Sequence, residues 1–232
     1  MGFIKSLFKW GVIIGMLAVG IQIWITKKDY IFDEKVIEEI GKKYAGGENI
    51  PEMVNKISSE LRVKYARHVL PTSDVELIFM NTGGAMCAAN LLHQSATEVM
   101  VVYGTAMDTS GHPGRHWFQS NIKVVLSGSM KVWKEGTYES VEYRPGDVLR
   151  VESGEASGVS FSEGTWLLAY GRGFIWSGGP YTLADSLFST LDFYTVFKMF
   201  RMLSKSLINE CSHCFTRIID TIKNKLLATG SP

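Results

Sequence analysis

The sequence predicts an α+β protein: a membrane-crossing helix at the N-terminus, a β-rich middle and helices at the C-terminus. Three observations carry the prediction. Leu7 to Thr26 is an apolar run interrupted by one charge, Lys9. Between Val75 and Tyr170, short β-branched and aromatic runs alternate with Gly, Pro and Asp, the punctuation of strands and turns. After Pro180, apolar residues recur at intervals of three and four, the period of a helix.

The first run is long enough to cross a bilayer, since about 20 helical residues at about 1.5 Å each span about 30 Å. Lys9 can snorkel to the interface, where Trp10 and Trp24 also belong. A cleaved signal peptide would end in a small-x-small site. This run ends Ile25-Thr26-Lys27-Lys28 and reads as an uncleaved anchor. Lysines flank both ends, so the positive-inside rule selects no orientation. Met1-Gly2 with Ser6 formally fits a myristoylation pattern, against which stand the bulky Phe3 and the adjacent span.

Phe32 to Tyr44 is predicted helical, with Val36, Ile37 and Ile40 on one face and Gly46-Gly47 as the stop. Pro51 suits the first position of a second helix, to Tyr65, with Val54, Ile57 and Leu61 in a stripe. Strands are expected at Val75–Met80, Glu98–Tyr103, Lys123–Leu126, Lys131–Trp133, Ser140–Tyr143, Asp147–Val151, Gly158–Phe161 and Thr165–Tyr170. Such regular short strands fit a sandwich or a small barrel. The His-bearing stretch before Glu98 reads as helical. At the C-terminus, Leu183, Leu187, Leu191, Tyr194, Phe197 and Phe200 form an apolar series bordered by Lys198, Arg201, Lys205, Lys223 and Lys225. That pattern fits equally a helix on a membrane surface and one packed on its own β domain. The implied organisation is an anchor over 1–29, a helical segment over 30–70, the β domain over 71–180 and C-terminal helices over 181–226.

Composition narrows the chemistry. A net charge of +1 offers no basic field for nucleic acid. Three cysteines, Cys87, Cys211 and Cys214, make no disulfide framework, and Cys211-Ser-His-Cys214 has no second ligand pair to complete a zinc site. His112 and His116 stand four apart across Pro-Gly-Arg, which breaks a helix, so no metal is expected. There is no nucleophile elbow, P-loop or dinucleotide fingerprint, and Gly171-Arg172-Gly173, placed after the last strand, is no cofactor loop. No cofactor and no catalytic residue is therefore assigned. Among the carboxylates, Glu98 opens an apolar strand and suits a structural role, accepting backbone N–H bonds.

A set of ordered motifs resembles the family of the sigma-1 receptor and the fungal sterol Δ8–Δ7 isomerase. They include Asn81-Thr-Gly-Gly-Ala-Met, Leu91-Leu-His-Gln-Ser, Tyr103-Gly-Thr-Ala and Gly111-His-Pro-Gly-Arg-His-Trp117. Trp133-Lys-Glu-Gly-Thr137, Tyr143-Arg-Pro-Gly146, Tyr170-Gly-Arg-Gly173 and Ala184-Asp185 continue the series. Tyr44-Ala-Gly46 and His68-Val-Leu-Pro71 lean toward the receptor. The resemblance implies one transmembrane helix, a cupin-like β-barrel around a hydrophobic ligand, and C-terminal helices lying on the membrane. It implies the endoplasmic reticulum, with the nuclear envelope as an alternative, and a ligand-regulated chaperone or modulator of membrane proteins.

By the same resemblance, the pocket is expected to include Met80, Ala85, Ala89, Leu91 and Val99, together with Val101, Tyr103, Phe161, Ala169 and Thr182. Ala85, Val99 and Phe161 replace larger aromatics, which widens the expected cavity. Trp176 stands at a usual proline, and Gly178-Gly179 loosens the entrance. Two departures bear on chemistry. The family's ammonium-binding glutamate falls at Ala169, and its second pocket acid falls within Asn121, Ile122 and Lys123, none of them acidic. A buried ammonium without a partner is heavily penalised, and alkene isomerisation needs an acid, a stabilised carbocation and a base. The expectation is therefore a non-enzymatic protein that binds a neutral hydrophobic molecule, a sterol or lipid. The rivals are an isomerase whose acid has moved to Glu98 or Glu155, and a scaffold whose barrel is filled. Cys87 replaces a glycine of the small-residue motif tied to self-association, which leaves a homo-oligomer in question.

Overall fold

A computed structural model describes residues 2–229. Met1 and the side chain of Lys225, both named above, lie outside the described residues.

The N-terminal apolar run forms helix α1 (Gly2–Lys27), the one candidate membrane span among the described residues. Apart from its C-terminal end, where Ile25 is buried, it stands clear of the rest of the protein, with Phe3, Leu7 and Ile14 more than 60% exposed. An apolar helix with no protein against it needs lipid around it.

Helices α2 (Glu34–Tyr44) and α3 (Ile50–Tyr65) begin where the sequence supplies caps. Asp33 accepts from the Lys35 N–H and Asn49 from the Glu52 N–H, with Pro51 in the first turn. Their buried faces, Ile37 and Ile40 from α2 and Met53, Ile57 and Leu61 from α3, cover one side of a large sheet. The approach is close at Gly41, where a Cβ would sit 2.8 Å from that of Val124. Glycine is needed there for the contact.

Ten strands follow: β1 (Leu77–Thr82), β2 (Ala85–Gln94), β3 (Glu98–Gly104), β4 (Thr109–Gly111), β5 (Gln119–Ser127), β6 (Met130–Lys134), β7 (Ser140–Tyr143), β8 (Val148–Val151), β9 (Ser157–Phe161) and β10 (Trp166–Gly173). They make a six-stranded antiparallel sheet, β1-β2-β3-β10-β5-β8, and a four-stranded one, β4-β9-β6-β7. Leu167 and Val125 of the first meet Val132, Val159 and Phe161 of the second in a shared core. The two sheets face each other without closing into one hydrogen-bonded ring, so the expected closed barrel is an open pair of sheets.

Two expectations need correction. The stretch before Glu98 is not helical. It is the ten-residue strand β2, paired along its length with β1 and β3. Ala, Met, Leu and Gln favour helix locally, but pairing on both edges overrides a weak propensity. A bulge between Leu91 and His93 brings His93 to the same side as Leu92, beneath the helices and against Phe32, while Leu91 keeps to the opposite face. Gly171-Arg172-Gly173 does not follow the last strand but lies within it.

Helix α4 (Gly179–Ala184) and helix α5 (Phe193–Thr229) complete the chain, joined by a π-helical turn at Asp185–Ser189. One face of α5 docks on the edge of the large sheet. Met202 packs with Leu70 and Ile78, the Thr195 hydroxyl donates to the Phe79 carbonyl, and the Ser206 hydroxyl donates to the Gln94 carbonyl at 2.8 Å. Lys198 and Arg201 pair with Glu76, and Lys205 with Asp74. These cations therefore serve docking and are not free for lipid headgroups.

Candidate functional site

The large sheet has two different faces because side chains alternate along each strand. On β3, Met100 and Val102 point into the core under α2 and α3, while Val99, Val101 and Tyr103 point the other way. On β10, Leu168 and Tyr170 point to the helices and Ala169 away from them. On β5, Ile122 joins the helix-side core, while Gln119, Asn121 and Lys123 share the opposite face. These outward sets border one cavity of about 500 Å³, which lies between the sheets and the C-terminal helices.

Every position expected for a pocket lies on the wall of this cavity: Met80 from β1, Ala85, Ala89 and Leu91 from β2, and Val99, Val101 and Tyr103 from β3. Phe161 of β9, Ala169 of β10 and Thr182 of α4 complete that set. Cys87 also lies on the wall, and burial pushes its thiol pKa up. The cavity is hollow, contrary to the filled-barrel alternative. Missing from the expected set are Met199, Phe200 and Leu203, through which α5 closes one side. Only the tertiary path brings them there. Trp176 and Phe200 border the cavity and are 41% and 49% exposed, which puts an apolar rim on its outer side.

Much of the polar wall comes from β5 and the loop before it, with Thr82, Gln94 and Thr182 adding single polar groups elsewhere. The Gln119 side-chain amide donates to the Asn121 Oδ1 at 2.7 Å. Gly171 makes room for this pair, because a Cβ there would lie 2.4 Å from Asn121 Oδ1. The His116 ring and Gln119 Oε1 both border Gly178 at the entrance segment. Lys123 is opposite Ala169 in the β5–β10 register, so the two side chains share a face as direct neighbours. The Lys123 side chain is half-buried and borders the cavity, and burial holds its pKa down to about 8. Burial, and then the nearby Lys123 charge, lower the His116 pKa.

Among the described residues that line the cavity, none is Asp or Glu. The rival acids are elsewhere. Glu98, 0% exposed, accepts from the Ile31 N–H at 2.9 Å, the Phe32 N–H at 3.0 Å and the Tyr170 hydroxyl at 2.8 Å. It ties the segment after α1 to the helix side of the sheet. Burial, then the Glu98 charge, raise the Tyr170 pKa far above that of an ordinary phenol. Glu155 is ion-paired to Lys134, whose hydrogen bond lowers its pKa, the opposite of what an acid donor needs. Among the described residues no cluster of three or more His, Cys, Asp or Glu side chains could hold a metal.

Residues 8–214 match the family described as ERG2 and Sigma1 receptor like protein. The Sigma non-opioid intracellular receptor 1 of Danio rerio is 40% identical over 219 residues, covering 93% of this chain and 98% of its own. That of Taricha granulosa is 44% identical over 200 residues, 85% of this chain and 89% of its own. The C-8 sterol isomerase ERG2 of Gibberella zeae is 35% identical over 183 residues, 78% of this chain and 77% of its own. Among solved structures, a predicted oxalate decarboxylase of Thermotoga maritima matches with a TM-score of 0.39 at 18% identity, over 45% of this chain and 98% of that one. An RmlC-like cupin of Shewanella frigidimarina matches with a TM-score of 0.37 at 15% identity, over 46% of this chain and 90% of that one. With a family match that spans most of its length, the chain belongs to the ERG2 and Sigma1 receptor like family.

Proposed function

We propose that the protein is a receptor-type, non-catalytic member of its family, a single-pass protein of the endoplasmic reticulum membrane and the nuclear envelope continuous with it. In this reading it binds a hydrophobic sterol- or lipid-like molecule in the cavity between the sheets and the C-terminal helices. Occupancy then regulates a chaperone-like action on other membrane proteins. The observation that carries the reading is a cavity of about 500 Å³, within the usual size of small-molecule sites, with Ala169 and no described carboxylate on its wall. An isomerase would need a proton donor and stabilisation of a carbocation. Among the described residues on this wall, the one fixed charge is the Lys123 ammonium, which repels a developing cation.

The test is equilibrium binding of a radiolabelled sterol to the full chain in neutral detergent, beside a Val101→Trp variant that fills the cavity. Saturable binding that falls at least about tenfold in the variant, a loss of about 1.4 kcal/mol, is expected. Conversion of a Δ8-sterol by the same preparation is expected to be nil. Absence of saturable binding, or equal binding by both proteins, contradicts the assignment.

A further inference from the structure

Lys123 has no partner that explains it. Among the described residues it makes no ion pair or hydrogen bond, and no carboxylate lines the cavity it borders. Other cations of the fold are matched: Lys134 with Glu155, Arg172 with Glu34, Lys198 with Glu76 and Lys205 with Asp74. An unpaired buried charge carries a desolvation penalty that neutralisation or a counter-ion relieves. The positions beside it are polar without being acidic. Gln119 and Asn121 precede it on the same face of β5, and the Gln119 Oε1 is buried with no hydrogen-bond partner. The amides of the Gln119–Asn121 pair can be turned together and keep their mutual bond, and Gln119 then presents an N–H donor at the Gly178 end of the cavity. Opposite this polar strip the wall is apolar, with Ala85, Ala89, Val99, Val101 and Phe161 from the strands and Leu203 from α5.

From this juxtaposition we propose that the cavity takes an anionic amphiphile, one hydrocarbon body ending in a carboxylate or phosphate that pairs with Lys123. The proposal rests on the reading of the cavity as a hydrophobic ligand site and specifies the ligand's polar end. The charge of the site is thereby inverted relative to an ammonium-binding pocket: a cation on β5 faces an alanine on β10, and the anion comes with the ligand. Because the ammonium pKa is held near 8, the side chain still carries its charge at neutral pH and gains a counter-ion on binding. The exposed aromatic rim at Trp176 and Phe200 lets such a molecule reach the cavity from lipid.

The experiment measures binding of four probes with the same C18 tail to the full chain in lipid nanodiscs, with empty nanodiscs subtracted. The probes are oleate, oleoyl lysophosphatidate, oleyl alcohol and oleylamine. The wild type is expected to bind at least one anionic probe tenfold or more tighter than the alcohol, and the amine weakest. Whichever of oleate and lysophosphatidate is tighter identifies carboxylate or phosphate as the head. Lys123→Met is expected to abolish the preference for the anion. Lys123→Arg is expected to keep the preference. Equal binding of anion and alcohol by the wild type, or an unchanged preference in Lys123→Met, overturns the proposal while the hydrophobic site stands. If no probe binds, the alcohol included, the site reading falls and the proposal with it.

Discussion

At Lys123, one residue sets both a stability term and the sign of the cavity. Burial lowers its pKa from 10.5 to about 8. Between those values the unfolded chain keeps a proton that the folded chain releases, so this residue makes stability rise with pH from about 8 to 10.5. Below pH 8 the penalty is fully present, about 3 kcal/mol from the size of the shift. His116, Tyr103 and Cys87 share the wall, so the residue's own contribution is read as a difference between two proteins. Lys123→Met, without ligand, is expected to unfold at higher temperature than the wild type at pH 7, with the gap closing toward pH 10.5. Thermal denaturation at the two pH values checks this, and a variant less stable at pH 7 speaks against an unpaired ammonium. The residue's role was only half legible in the sequence. The absence of acids at 121–123 could be read directly, but that Lys123 rather than Ile122 faces the cavity follows from the alternation of β5, which needs the strand's true start at Gln119. Glu98 was legible as a strand carboxylate suited to backbone donors. Its actual donors, Ile31 and Phe32, lie far away in sequence.

For the elements, local signals worked where periodicity was strong and caps were explicit. The helix over Ile50–Tyr65 has Asn49 and Pro51 at its start, and the strand over Ser140–Tyr143 is bounded by turns. They failed for β2, whose composition favours helix and whose strand character comes from two neighbours it cannot anticipate. The short strand β4, which pairs only with β9, left no pattern at all. Helix α5 has two unlike faces that its sequence pattern did not separate. Thr195, Met202 and Ser206 are buried against the sheet edge, while Phe193, Tyr194, Phe197 and Phe215 are 64–68% exposed. A row of exposed aromatics on a docked helix is the pattern of a surface that rests in a membrane. A lipid-quenched fluorophore placed by Phe197→Cys is expected to be quenched in bilayers, and one placed by Tyr138→Cys is not. Both carry Cys211→Ser and Cys214→Ser to remove the exposed native thiols. Equal quenching at the two positions contradicts a membrane-resting α5.

On the scale of the whole molecule, each layer has a separable task. The N-terminal helix needs lipid, α2 and α3 seal one face of the large sheet, and the other face is left to a second sheet and α5. That arrangement leaves a hollow whose polarity is decided by one strand pair, β5 and β10. Whether this cavity takes cations is therefore the decisive question. Because Lys123 faces Ala169 across the β5–β10 register, a glutamate placed at 169 alone would pair with the lysine, so both positions must change. The measurement is saturable binding of a radiolabelled hydrophobic amine to the full-length wild type and to the Ala169→Glu, Lys123→Met double variant. The expected outcome is no saturable binding by the wild type and its appearance in the double variant. Tight binding of the amine by the wild type would contradict it, because a carboxylate would then have to reach a cavity whose described walls carry none.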